Sequence, residues 1–271
     1  MHVILSVVTD SPYREAVLEF SEQFADLVDG RVRLATLGQR LHTATNTEAV
    51  IAEDDEEGLL ERRGESADEE FSQLDKGPET PHDSVWLGGP PVDECVREIA
   101  KADFGVVGKS FRAEPTGGSA IGSEVSDLKQ RANKPLIIVP KTVRPVKKAL
   151  FVFTEHPESG HAMYLAGPLS AKGVSISLLN AISPLGRNVL TGAGAGYLKA
   201  HDIPFDEASF ACDDCALTGG PAEEVLRVAE QEEADLIVVG GTRRGFWGEL
   251  LWPELAREVV WNAKVPVLIW Y

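Results

Sequence analysis

An α/β fold made of two tandem, doubly wound, open parallel-sheet domains is predicted by three features of this 271-residue chain. The first is a set of short apolar runs without polar alternation, such as Leu136-Ile-Ile-Val139 and Leu236-Ile-Val-Val239. Strands buried on both faces of a parallel sheet read this way. The second is the amphipathic stretches between those runs, bounded by proline or glycine. The third is an internal repeat. Ala102-Asp-Phe-Gly-Val-Val-Gly108 and Ala234-Asp-Leu-Ile-Val-Val-Gly240 end alike, and Pro135-Leu-Ile-Ile-Val139 matches Pro266-Val-Leu-Ile-Trp270. The offset of about 130 residues is too long for a solenoid unit and suits two domains.

Taken in order, His2 to Val8 reads as a buried strand. Asp10 or Ser11 caps a helix that starts near Pro12, with Val17, Leu18, Phe20, Phe24, Leu27 and Val28 on its apolar stripe. Asp29-Gly30 ends it, and Arg31 to Leu37 is the second strand. From Gly38 to Gly77 the chain turns acidic, with Glu53-Asp-Asp-Glu-Glu57 and Asp68-Glu-Glu70. A helix is predicted there from about Thr45 to Leu60, followed by a polar excursion. The acids lack the alternating ligands and turn glycine of a calcium loop and form a solvated face. Asp83 to Leu87 is the third strand, Val92 to Lys101 a helix, and Ala102 to Gly108 the fourth strand. A loop from Lys109 to Ile121, a helix to Asn133 and a fifth strand to Val139 complete the first half.

Pro140 to Pro145 is a linker between domains at 1–141 and 146–271. The second half repeats the order. Its strands are Lys148–Phe153, Val174–Asn180, Phe205–Ala211, the run after Asp235, and the run ending at Trp270. Its helices are Pro157–Ala171, Pro184–Ala200, Pro221–Glu233 and Glu254–Ala263. Each half is βαβαβαβαβ, and the duplication predicts two copies of one sheet rather than one continuous sheet.

Composition narrows the function classes. The formal net charge is −17, which repels nucleic acid and anionic membranes. The acidity serves solubility or adaptation to high salt, and composition fits both. No apolar run approaches the roughly 20 residues that span a bilayer, and Met1-His-Val-Ile-Leu5 runs into a strand without a signal pattern. The three cysteines point to a cytoplasmic protein without a disulfide scaffold.

In both halves a glycine follows the fourth strand, and a polar or glycine-bearing turn opens the last helix. These residues resemble a tandem universal stress protein. That family carries a glycine after the fourth strand, a second glycine three residues on, and Gly-Ser or Gly-Thr nine residues later. The resemblance covers nearly the whole chain outside residues 38–77 and implies an adenine nucleotide alpha hydrolase-like, Rossmann-like fold. It also implies a stress-response regulatory or binding role without catalytic turnover, cytoplasmic, with adenine nucleotide as ligand.

The motif matches the two halves unequally. In the first half Asp10 matches the family's aspartate after the first strand, Gly108 the first glycine, and Gly122-Ser123 the final pair, one residue late. Phe111 replaces the second glycine. The candidate nucleotide site is therefore Asp10, Ser11, Gly108, Gly122 and Ser123, for ATP or a related adenine nucleotide. Backbone N–H groups and the Ser123 hydroxyl would meet phosphate, and Asp10 the adenosine. Lys109 and Arg112 lie on a loop where they either steer phosphate or stay solvated. The alternative assigns Gly108 and Gly122 to turn and cap duty and Asp10 to a helix cap. In the second half Gly240 keeps its place. Arg243 and Pro253-Glu254 replace the other glycines and the serine, Glu155 stands for aspartate, and Trp247 and Trp252 are large enough to fill the cleft.

The resemblance further implies an intramolecular pseudo-dimer in which the last strands pair, Pro135–Val139 against Pro266–Tyr271, with Tyr271 buried there. It leaves a homo-oligomer open, and makes a slow ATPase or a nucleotide-independent scaffold the alternatives. Cys212-Asp-Asp-Cys215 is compatible with structural thiols, a redox pair or half a metal site. Thr191-Gly-Ala-Gly-Ala-Gly196 lacks a Gly-Lys-Ser/Thr ending and reads as a small-residue helix. His156 and His161 lack the spacing that puts two ligands on one helix face, and no metal site is predicted.

Overall fold

The computed structural model describes residues 1–37, 83–88, 90–111, 122–154, 159–182, 192–211, 220–240 and 252–270. In the first half the elements are β1 (His2–Val8), α1 (Arg14–Leu27), β2 (Gly30–Leu37), β3 (Asp83–Leu87), α2 (Pro91–Ile99), β4 (Phe104–Gly108), α3 (Ser123–Arg131) and β5 (Leu136–Val139). The second half has β6 (Lys148–Thr154), α4 (Ser159–Ala162), a 3₁₀ turn (Met163–Leu165), α5 (Ala166–Ala171), β7 (Ser175–Ile182) and α6 (Ala193–Ala200). It ends with β8 (Phe205–Ala211), α7 (Pro221–Gln231), β9 (Leu236–Gly240), α8 (Trp252–Asn262) and β10 (Val267–Trp270). The acidic segment and its predicted helix lie outside the described residues.

Among the described residues ten strands form one sheet in the order β3-β2-β1-β4-β5-β10-β9-β6-β7-β8. Each half contributes the same order, 3-2-1-4-5 and 8-7-6-9-10, with parallel neighbours throughout. The expected separation into two sheets is corrected at the joint. There β5 and β10 pair antiparallel, with Val267 opposite Ile138, Leu268 opposite Ile137 and Ile269 opposite Leu136. All six residues are buried. Two apolar strand edges meet here, and pairing them removes two rows of unsatisfied backbone groups at once. The edge pairing is the arrangement that the family resemblance implies, and a continuous sheet is its geometric consequence.

The repeat extends to individual hydrogen bonds. The N–H of Val3 donates to Asp103 Oδ2 at 2.9 Å, and the Asp103 N–H donates back to the Val3 carbonyl at 2.9 Å. At the same place in the second half, Lys147 and Lys148 N–H donate to Asp235 Oδ2 at 2.8 and 3.0 Å, and Asp235 N–H returns to Lys148 O at 2.8 Å. The aspartate before the fourth strand thus ties that strand to the start of the first. Both repeats of Ala-Asp in the sequence carry this role.

Each sheet face is covered by one apolar cluster spanning both halves. One contains Cys95 and Ile99 of α2, Val125 and Leu128 of α3, Val225 of α7 and Val259 of α8. The other contains Phe20 and Phe24 of α1, Leu169 of α5 and Leu198 of α6. Phe104 of β4 meets Trp270 of β10 edge to face at 5.7 Å across the joint. Tyr271 lies outside the described residues.

Two helices depart from the sequence reading. α1 starts at Arg14, after a turn in which Arg14 N–H donates to Ser11 O at 3.1 Å, and its N-cap Tyr13 has no side-chain cap. The predicted Pro157–Ala171 helix is divided into α4, a 3₁₀ turn and α5. Pro168 has no N–H for the preceding turn, and its ring crowds the carbonyl four residues back. Of the predicted Pro184–Ala200 helix, the described part is α6; Gly192 precedes it at φ 92°, a left-handed conformation suited to glycine.

Candidate functional site

In the first half the chain order reverses between β1 and β4, and ligands of open α/β sheets settle outside the carboxyl ends of the strands at such a point. Residues 9–13 follow β1, Gly108 ends β4 and Lys109 to Phe111 follow it, and Gly122 to Glu124 open α3. The turn after β1 is organised by Ser11. Its Oγ accepts from Thr9 Oγ1 at 2.9 Å and from Tyr13 N–H at 3.4 Å. Asp10 is exposed on this turn and Ser11 half-buried.

Gly108 is required by packing. A Cβ there would collide with Tyr13 Cβ and would lie 2.8 Å from Tyr13 Cγ. Tyr13 is buried over this glycine, and burial raises its phenol pKa. Gly122 donates its N–H to Lys109 O at 2.8 Å, which closes the β4–α3 connection. A Cβ on Gly122 would stand 3.0 Å from Ser110 Oγ. Gly122, the N-cap of α3, has no side chain with which to cap it. Ser123 Oγ donates to Glu124 Oε2 at 3.1 Å on the exposed side of the first turn. The described part of the site therefore brings Gly108, Ser110, Gly122 and Ser123 onto one connection, with Tyr13 over one face of it. Arg112 lies outside the described residues.

Lys109 is not the exposed loop residue that the sequence suggests. It is 8% exposed, and its Nζ donates to Trp261 O at 3.0 Å and Ala263 O at 2.7 Å in the second half. Burial pushes its pKa down to about 8. Its ammonium is held by main-chain carbonyls at the carboxyl end of α8. Sequence reasoning missed this because both acceptors are main-chain carbonyls more than 150 positions away; the one available signal was that Lys109 directly follows a buried strand.

In the second half Gly240 pairs with Trp270 at the end of β9. Glu155, Arg243, Trp247, Cys212 and Cys215 lie outside the described residues, and Pro253-Glu254 form the start of α8. Cys95 is buried, and burial reinforced by the Glu94 charge pushes its thiol up to about 12, so it is an inert core residue. His161 stacks with Tyr164 at 6.4 Å. Among the described residues no group of three or more His, Cys, Asp or Glu is placed to hold a metal. A cavity of about 680 Å³ lies at the amino ends of β9 and β10, lined by Arg144, Leu226, Ala234, Ile237 and Pro266 among others. Because β10 runs antiparallel to β5, it lies at the same end of the sheet as the Gly108 turn. Among the described residues no helix is long and apolar enough to cross a membrane.

The universal stress protein family matches residues 216–270, from before α7 to the end of β10. A curated universal stress protein of Methanocaldococcus jannaschii is 42% identical over 53 residues. That match takes in 20% of this chain and 31% of the relative, so the chain spans about a third of the length of that relative. A crystal structure of a universal stress protein from Archaeoglobus fulgidus superposes with a TM-score of 0.74 at 15% identity, covering 98% of this chain and 97% of that one. Residues 216–270 are thus similar in sequence to universal stress proteins, and the whole chain shares their fold. The match in β9, α8 and β10 includes the run that seeds both the sheet joint and the Lys109 contact. A functionally unknown protein from Pseudomonas aeruginosa shares the universal stress protein-like fold with a TM-score of 0.59 at 16% identity, covering 100% of this chain and 92% of that one.

Proposed function

We propose that this chain is a stress-response binding module in which the first half holds one adenine nucleotide and the second half is a structural partner without a site of its own. The observation that carries this reading is the N-terminus of α3, whose N-cap Gly122 brings no side chain, set beside the Gly108 turn where the sheet order reverses. Its first-turn N–H groups have no intrahelical acceptors, and the helix dipole adds positive potential there. A phosphate would meet the amides of Ser123 and Glu124, and Ser123 Oγ would turn from Glu124 to donate to it. Asp10, exposed on the turn after β1, would accept hydrogen bonds from the adenosine. The net charge of −17 opposes nucleotide at long range, which makes the local amides the source of affinity. The two halves pack as an intramolecular pseudo-dimer, and turnover of the nucleotide is not part of its role.

A specific pair of contacts favours a second reading, a nucleotide-independent scaffold. Tyr13 covers Gly108, and the Glu124 carboxylate lies close to the start of α3, within 3.3 Å of a Cβ built on Gly122. Calorimetric titration of the full chain with ATP separates the two. The binding module takes up at most one ATP per chain, and Ser123→Ala or Asp10→Ala lowers affinity about tenfold, the scale of one lost charge-assisted hydrogen bond. No heat of binding selects the scaffold, and two equal sites refute the asymmetry. Phosphate release that disappears in Ser123→Ala would instead identify a slow ATPase.

A further inference from the structure

Lys109 belongs to both halves. Its main chain builds the first half's turn. The Lys109 N–H donates to Val139 O at 3.2 Å at the end of β5, and its carbonyl accepts the Gly122 N–H at 2.8 Å at the start of α3. Its side chain crosses the joint. The Nζ reaches Trp261 O at 3.0 Å and Ala263 O at 2.7 Å. The last carbonyls of a helix have no intrahelical donor and carry the negative end of its dipole, so a buried ammonium is well matched to them. One residue thus holds the N-terminus of a helix in one half and the C-terminus of a helix in the other. The residue after Gly240, at the matching place in the second half, is Gly241, which has no side chain to return the contact.

We infer that Lys109 is a positioning residue for the first-half site: α8 of the second half, acting through the Lys109 side chain, sets the placement of the Gly122 amide and of the α3 N-terminus. The second half then supplies no ligand group, yet the site depends on it. A tether of this kind acts by fixing geometry, because the ammonium is already engaged by two main-chain carbonyls. The inference rests on the proposed nucleotide reading for its binding arm alone; the tether itself is tested without ligand.

The full chain is compared as wild type, Lys109→Met and Lys109→Arg. Methionine keeps the apolar stem and removes the donors, while arginine keeps donors. Without nucleotide, exchange of the Gly122 and Ser126 amides rises about tenfold or more in Lys109→Met, while the β1–β2 ladder amides keep their wild-type rates, because opening is local to the released turn. In the binding arm, Lys109→Met raises the Kd for ATP about tenfold with unchanged stoichiometry, and Lys109→Arg recovers part of it, as expected of lost preorganisation. A residue that only stabilises the joint lowers the melting temperature but leaves Gly122 exchange and the Kd of the folded protein unchanged, and that result overturns the inference. Wild type that binds no ATP refutes the nucleotide reading, with the exchange arm still deciding the tether. Should Lys109→Met not fold, Lys109→Gln, one bond shorter, is read in the same two arms.

Discussion

Tyr13 and Gly108 interlock across the first half, and the fit leaves no room for a methyl group. Gly108→Ala is expected to destabilise the protein by about 1–3 kcal/mol through overpacking. Tyr13→Ala combined with it should recover part of that loss, a coupling that urea denaturation of both single variants and the double variant measures. Lys109 and Lys129 give a pH signature. Burial lowers both pKa values from the ordinary 10.5 to about 8, for Lys129 with help from the Arg257 charge. The folded protein loses these protons at lower pH than the unfolded chain, which binds more of them between about pH 8 and 10.5. Stability therefore rises with pH across that window, and below it the full cost of burying the charge remains. Denaturation at pH 7.5 and 9.5 should show this rise, smaller by roughly 1 kcal/mol in Lys109→Met and by less in half-buried Lys129→Met, where solvent screens the charge. A wild-type stability that falls across the window contradicts it. At this scale the sequence was a partial guide. A glycine after an apolar run marks the Gly108 turn, but the reason for it is a ring 95 positions earlier in the chain. The burial of Lys109 follows from carbonyls that sequence spacing cannot place.

Strand and helix elements were more legible, because buried parallel strands announce themselves as unbroken branched residues. The described strands all fall on predicted runs, and the last strand of each half pairs with the other as the resemblance implied. The helices fared less evenly. α1 begins beyond Pro12 because a turn closed by Ser11 intervenes, and Pro168 divides a helix that apolar spacing alone left whole. The paired Asp103 and Asp235 allow a graded prediction. Asp235 accepts two N–H groups and an ion pair from Arg144, with its side chain 8% exposed; Asp103, 47% exposed, accepts one N–H from Val3. Asp235→Ala should cost about 2–4 kcal/mol and Asp103→Ala about 1 kcal/mol in urea unfolding, since the first leaves more donors unpaired. Equal costs would mean that the repeated hydrogen bonds do not carry the two strand junctions unequally. In the joint, Leu268→Ala should cost about 2–5 kcal/mol, as for any fully buried leucine that leaves a cavity.

The sheet runs unbroken through both halves, and each apolar cluster spans them on its own face. Such continuity predicts one cooperative unfolding transition rather than two, coincident by fluorescence and by circular dichroism. Separate transitions for the two halves would show that the joint is weaker than its buried area suggests. The proposed asymmetry of function sits inside this near-symmetric frame. The second half supplies the family match and the carbonyls that hold Lys109; the first half supplies α3 and the turn after β1. The sequence carries a glycine-serine pair in one half and Pro253-Glu254 in the other, whereas the Lys109 contact between the halves was not legible there. Native mass spectrometry of the chain as purified, without added ligand, is the most direct test. One adenine nucleotide per chain, absent from the Gly122→Val variant, is the predicted result; two per chain, or one retained by that variant, would contradict it.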